Sequence, residues 1–251
     1  MATKLAYKLS GICMVLYDKN ILHRSFYARD TSIVARELIG KILVRICGPR
    51  PSHAFLSGII IETEAYYGTD DPASHAFRGR TPRSEIMFGT AGMSYVYFCY
   101  GMYYLLNAVT EELNTPGAVL IRAVQPLEGI ELMEKRRIAQ RAKLKSKAKK
   151  NNANTGKINT EPKARNAYFN INKLSDGPGK LTVCFGIDIS DNKKDLTDPK
   201  GDLRIYDCGI KNSLIKISAS PRIGISSGRE IHLRYMAENI NIPGKIVGPV
   251  K

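Results

Sequence analysis

Two β-prone runs, Ser94–Tyr100 and Met102–Val109, meet at Gly101, and this feature constrains the fold more than any other in the chain. β-branched and aromatic residues suit a pleated, half-buried sheet surface, and a glycine between two such runs allows a tight turn. Five tyrosines stand within residues 95–104. Alternation puts Tyr95 and Tyr97 on one side of the first run and lets Tyr100 reach the turn, where a ring is exposed. Two readings stay open here. Either the rings pack a core, or they stack on nucleobases, a contact worth roughly 1–3 kcal/mol per base.

The remaining pattern mixes helix and strand. Asp30-Thr31-Ser32 offers N-caps for an amphipathic helix through Ile33, Val34, Leu38 and Ile39, closed by Gly40. Lys41 to Cys47 predicts a strand, and Ser57 to Tyr66 another that opens on Ile59-Ile60-Ile61 and ends in alternation. Residues 67–92, rich in Gly, Pro, Asp and Ser, predict a long ordered loop, which inside a compact domain is usually functional. Ala118 to Ala123 predicts a short strand, Glu128 the opening of a helix, and Ser175 to Gly179 a turn cluster. Leu203–Tyr206, Ser213–Ile217 and Glu230–Tyr235 predict closing strands. Length favours one domain over residues 23–251, preceded by an extension, residues 1–22, that shows no clear period.

The net charge of +15 invites a polyanionic partner, but it is unevenly placed. Residues 135–165 carry 12 Lys and Arg against one acid, Glu161, a local charge of +11, so the other 220 residues supply only +4. The basic stretch at about 135–170 reads either as a solvated helix end running into disorder or as an arm that grips nucleic acid. Five scattered cysteines with no CxxC pair argue against a disulfide framework and for a reducing compartment. No apolar run approaches the roughly 18–20 residues that span a bilayer. The apolar stretch Gly11–Tyr17 is short for a signal peptide and lacks a small-residue cleavage site.

Glu62, Glu64 and Tyr66 should share one strand face, since side chains alternate along a strand. A carboxylate held there against apolar walls becomes more basic and suited to taking a proton from water. The same acids could instead mark an exposed strand edge. Asp70, Asp71 and His75 sit in the long loop, but four His without an HxxxH pair, and no clustered Cys, disfavour a metal site. No GxSxG elbow supports a nucleophilic triad. Gly177-Pro178-Gly179-Lys180 lacks phosphate-loop spacing, although a helix start with a flanking Lys can hold one backbone phosphate.

Taken in order, these stretches resemble the alkyladenine, or 3-methyladenine, DNA glycosylase family of the human and Gram-positive bacterial type. The resemblance runs through Phe26-Tyr27-Ala28-Arg29-Asp30, Glu62-Thr63-Glu64-Ala65-Tyr66, Ser74-His75, Thr81-Pro82-Arg83, Tyr95-Val96-Tyr97, Tyr100-Gly101-Met102-Tyr103 and Asn107. It continues through Leu120-Ile121-Arg122-Ala123, Gly177-Pro178-Gly179-Lys180-Leu181 and Pro221-Arg222-Ile223-Gly224-Ile225, and covers about residues 25–133 and 173–236. Residues 1–22, the basic insertion and the tail Arg234-Tyr235-Met236-Ala237-Glu238-Asn239 depart from the family pattern.

The resemblance implies an α+β fold, a single mixed domain around a curved antiparallel sheet with a protruding, DNA-intercalating β-hairpin. It implies no metal or cofactor. It implies a monomer acting on double-stranded DNA that contains damaged purines, in the cytoplasm of a bacterium or the nucleus of a eukaryote. Glu64 corresponds to the general base that activates water, with Arg122 beside it as a catalytic, pocket and backbone contact. Tyr66, His75, Tyr97 and backbone around Ala73 correspond to the pocket for the extruded base. Asn107 corresponds to the residue that screens guanine, Tyr100 to the one that fills the vacated stack, and Lys180 and Arg83 to DNA-backbone contacts. The expected activity is monofunctional hydrolysis of the N-glycosidic bond of an everted purine. The competing expectation is a damaged-DNA or RNA binder without catalysis on the same scaffold.

Overall fold

The computed structural model describes residues 6–9, 12–15, 20–48, 54–153, 170–210, 214–242 and 245–247. Its chain order is β1 (Ala6–Leu9), β2 (Ile12–Val15), α1 (Arg24–Tyr27), α2 (Thr31–Leu38), β3 (Ile42–Cys47), β4 (Ala54–Tyr66), β5 (Ser94–Cys99), β6 (Tyr103–Val109) and β7 (Ala118–Glu128). There follow α3 (Ile130–Ala153), α4 (Pro178–Phe185), β8 (Leu203–Tyr206), β9 (Ile215–Ser220), β10 (Arg234–Ile242) and β11 (Lys245–Val247). A curled antiparallel sheet of nine strands carries the molecule, with few helices around it, so the α+β expectation holds.

Strand β4 is the spine of the sheet. One edge pairs with β7 along most of its length, and the other is shared by β3 near its start and β10 near its end. Ile59, Ile60 and Ile61 are all buried, as a strand covered on both faces requires. Helix α2 covers one face, and Thr63 Oγ1 donates to the carbonyl of Ala35 at 2.8 Å. Asp30 caps α2 by accepting from the Ile33 amide at 3.0 Å. The β4–β7 ladder shifts register on both sides of Glu62, leaving Ile61 and Arg122 outside the run of paired residues. Such irregularities bend a strand and re-aim its side chains, here at the point where the charged residues begin.

Several expected boundaries move. The strand at Ala118 continues past Ala123 to Glu128, and the next helix opens at Ile130, because residues 124–128 keep pairing with β4 through Ser57. The glycine-proline cluster is the start of α4, with Gly177 at the N-cap and Pro178 in the first turn, where its missing N–H costs nothing. The strand expected at Glu230–Tyr235 occupies Arg234–Ile242, since the register of paired residues with β4 and β9 begins at Arg234. The strand expected at Ser213–Ile217 runs over Ile215–Ser220, and residues 211–213 lie outside the described residues.

Within residues 1–22, β1 and β2 pair with each other, whereas Ile21 and Leu22 are buried in the main core. The expectation of disorder beyond the basic helix falls on residues 154–169, outside the described residues. Among the described residues no helix is long and apolar enough to cross a membrane.

Candidate active site

A cavity of about 500 Å³ opens between the β5–β6 hairpin, the long loop, the start of α4 and the Ile223–Ile225 segment. That volume lies within the range of small-molecule pockets. Tyr66, Ala73, His75, Arg83, Tyr97, Tyr100, Asn107, Arg122 and Lys180 all border it, so nine of the ten expected site residues converge although they span residues 66–180. Tyr95, Tyr103 and the backbone of Gly177–Gly179 complete the wall. A Cβ on Gly179 would stand 2.5 Å from the Tyr103 ring, so only glycine lets α4 lie this close to the hairpin.

Glu64 is the tenth, and it sits one layer behind the wall. Its side chain is 0% exposed, and its three partners belong to residues that line the cavity. Tyr66 donates its hydroxyl to Oε2 at 2.8 Å and the Ile223 amide donates to Oε1 at 2.8 Å. Arg122 Nη1 lies 3.2 Å from Oε2. The apolar surroundings expected for this carboxylate are therefore replaced by a hydroxyl, an amide and a guanidinium. A fully buried carboxylate without such partners would be too costly to keep ionised.

Glu62 belongs to the same cluster. It accepts from Arg122 Nε at 2.7 Å and from Arg234 Nε at 2.6 Å, so the Glu62–Glu64–Tyr66 face is an interior ion network and not a solvent-exposed edge. Burial alone would lower the Arg122 pKa, but the carboxylates of Glu64 and Glu62 outweigh it and raise the value above its ordinary position. Burial raises the Tyr66 pKa strongly, and the neighbouring Glu64 charge adds to it. The Tyr66 hydroxyl is thus a firm proton donor to the carboxylate.

On the opposite wall His75 stands edge-on to Tyr97, ring centroids 4.7 Å apart, with Nδ1 2.7 Å from the Tyr95 hydroxyl. Burial, reinforced by the Arg83 charge, pulls the His75 pKa down to about 4, so the ring is neutral near pH 7. The Arg83 guanidinium lies 5.0 Å over the Tyr97 ring and, through Tyr97, forms part of the cavity mouth while its side chain reaches solvent. Asn107 is buried and donates Nδ2 to the Tyr95 carbonyl at 3.0 Å. The Ala73 amide is already committed to Asp71 Oδ1 at 3.1 Å. Lys180 pairs with Asp176 at 2.6 Å on the rim.

The hairpin turn is strained at Tyr100. Tyr100 (φ 51°) and Gly101 (φ 66°) both lie in the left-handed region, and the Met102 amide donates to the Cys99 carbonyl at 3.2 Å. That geometry suits Asn-Gly or Gly-Gly, and a bulky residue at the first position costs about 1–2 kcal/mol. Tyr100 occupies it with 75% exposure, flanked by exposed Phe98 and Met102. Strain of this kind persists only where the surrounding structure over-determines it.

Sequence reasoning named Asp71 and the stretch holding Arg222 but did not pair them. Arg222 Nη1 and Nη2 donate to Asp71 at 2.5 and 2.7 Å, both side chains are buried, and the guanidinium lies 4.7 Å over the Tyr66 ring. This pair holds the loop to the segment whose next residue, Ile223, contacts Glu64. The sequence signals were an acid pair in a loop and a separate Pro221–Ile225 stretch, with nothing local to join them; Asp71 accepts from the arginine and also from the Tyr67 and Ala73 amides.

An aromatic cavity with a buried carboxylate behind it, beside a hairpin that presents a strained tyrosine, defines the class to which this fold should be compared, the DNA glycosylases. The family model of methylpurine-DNA glycosylase matches residues 25–241. Relatives include proteins that bear the provisional name 3-methyladenine DNA glycosylase. One from Rickettsia typhi is 40% identical, over 88% of this chain and 97% of its own length. One from Koribacter versatilis is 35% identical, covering 86% and 88%, and one from Clostridium acetobutylicum is 39% identical, covering 83% and 88%. The chain belongs to the methylpurine-DNA glycosylase family.

Proposed function

We propose that this protein is a monofunctional repair glycosylase that everts an alkylated or deaminated purine nucleotide from duplex DNA and hydrolyses its N-glycosidic bond. The observation that carries the reading is the placement of Glu64 directly behind the wall of an aromatic cavity, bonded at once to three residues that line it, Tyr66, Arg122 and Ile223 through its amide. A glycosidic bond inside stacked duplex is out of reach, so the nucleotide must leave the helix, and weak pairing of a damaged base lowers that cost. Tyr100 fills the vacated space. Tyr66, His75 and Tyr97 enclose the base, and an alkylated, cationic purine gains from the ring faces.

A water on the cavity floor attacks the anomeric carbon as its bond to the purine nitrogen breaks. Glu64 takes the water's proton, and the alkylated purine departs neutral. The carboxylate charge also steadies the oxocarbenium-like sugar. Arg122 pairs with Glu64 and orients it. Neutral His75 serves as a hydrogen-bonding wall, Asn107 opposes a guanine amino group, and Lys180 and Arg83 hold backbone phosphates at the rim.

The test is Glu64→Gln, assayed for base release from methylated DNA and for binding to an abasic-site analogue. Base release should fall at least 100-fold, the lower end of what a positioned base contributes, with analogue affinity within a few-fold of the parent. Unchanged release by the variant removes this mechanism. No release from the parent protein leaves the binding-only alternative.

A further inference from the structure

Helix α3 is the largest feature that this function does not use. It runs 24 residues from Ile130 to Ala153, and its first two turns are packed against the body. Met133 and Arg137 are buried, and Arg136 donates to the Cys184 carbonyl at 2.9 Å. Between residues 138 and 146 no residue is buried. At 1.5 Å per residue, residues 138–153 make a helical rod of about 24 Å.

The rod leaves the body beside the cavity. Arg137, the last packed residue, lies within electrostatic reach of Tyr103 and Asp176. Tyr103 borders the cavity, and Asp176 holds Lys180 at the rim.

Residues 138–153 contain Arg141, Lys143, Lys145, Lys147, Lys149 and Lys150 and no acid. Lysines spaced four apart, such as Lys143 with Lys147 and Lys145 with Lys149, repel along a helix, so this sequence opposes its own helical form unless an anion is near. A membrane-surface helix would need a broad apolar face, whereas residues 138–153 offer only Ile138, Leu144 and alanines.

We propose that the basic distal half of α3 is a second, sequence-independent contact that grips DNA phosphates next to the damaged site. The proposal rests on duplex DNA being the substrate, and it concerns capture of the duplex, not excision. Neutralising a phosphate releases condensed counterions, so each lysine engaged steepens the salt dependence of binding.

The experiment replaces Lys143, Lys145, Lys147, Lys149 and Lys150 together by Gln, and separately by Arg, in the full chain. Affinity for an undamaged duplex is measured by fluorescence anisotropy across a NaCl series. With three to five phosphates lost, the slope of log K against log salt should become shallower by about 3–4, and affinity near 0.1 M salt should drop at least tenfold. The Arg variant should bind like the parent. Single-turnover base release at saturating protein should be the same in all three. An unchanged slope in the Gln variant overturns the proposal, and so does an Arg variant as weak as the Gln one, which would make the effect one of helix structure. Binding by the parent to phosphatidylserine vesicles in preference to duplex would also overturn it. Absence of base release from the parent would defeat the glycosylase reading while leaving the slope comparison intact.

Discussion

Asp71→Ala should be among the most damaging single changes in the molecule, through a charge that lies outside the reacting groups. Asp71 accepts from both Arg222 Nη atoms at 2.5 and 2.7 Å, from the Tyr67 amide at 3.0 Å and from the Ala73 amide at 3.1 Å. The Arg222 side chain is fully buried, and its other acceptor is the Ala65 carbonyl, 3.0 Å from Nη1. Removing the carboxylate strands a guanidinium in the interior, a loss of about 3–5 kcal/mol, a large part of the roughly 5–15 kcal/mol that holds a domain folded. For a chain of this size each kcal/mol moves the melting temperature by roughly 2–4 °C, so Tm should fall by about 6–20 °C.

Adding Arg222→Met removes the stranded charge, and the double variant should recover at least about 1 kcal/mol over additivity. Neither variant should recover base release, because Arg222 carries the adjoining Ile223 amide that orients Glu64. The assay is thermal and urea unfolding by circular dichroism beside single-turnover excision. A loss below about 1 kcal/mol for Asp71→Ala, or strict additivity in the double variant, would refute the pairing argument.

Two further outcomes follow from the same geometry. Tyr100→Asn replaces a strained bulky residue by one that tolerates the left-handed region, so stability should rise by about 0.5–1 kcal/mol while affinity for duplex carrying an abasic analogue falls roughly 5- to 150-fold, the equivalent of one lost stacking contact. Unfolding midpoints and equilibrium binding would show whether the two change in opposite directions. His75, held down to about 4, binds its proton more readily in the unfolded chain, whose ordinary value is near 6.5. Its stabilising effect is therefore complete above about pH 6.5 and is lost as pH falls towards 4, by roughly 1–2 kcal/mol after allowing for partial exposure. A proton NMR titration of the His75 ring with a midpoint near 6.5 would contradict this, as would a His75→Gln variant with the parent's acid stability.

Much of this protein could be read along the chain because local geometry writes itself as periodicity. Alternation placed Tyr95 and Tyr97 on one wall and Glu62, Glu64 and Tyr66 on one face, Asp30 and Gly40 bounded a helix, and Gly101 placed a turn under Tyr100. Each of these depends on residues a few positions apart, whose spacing the strand or helix repeat dictates.

What surrounds the carboxylate depended on the tertiary structure. Ile223 meets Glu64 across 159 residues, and Arg222 meets Asp71 across 151. Pairing among buried charges follows from which groups the folded sheet excludes together from water, and no local repeat encodes that. Residue type and spacing determined that Glu62, Glu64 and Tyr66 would share one face of β4, while the folded chain decided that this face would be interior and that the neighbours of Glu64 there would be a cation, a hydroxyl and an amide, since a carboxylate removed from water must find its partners in space.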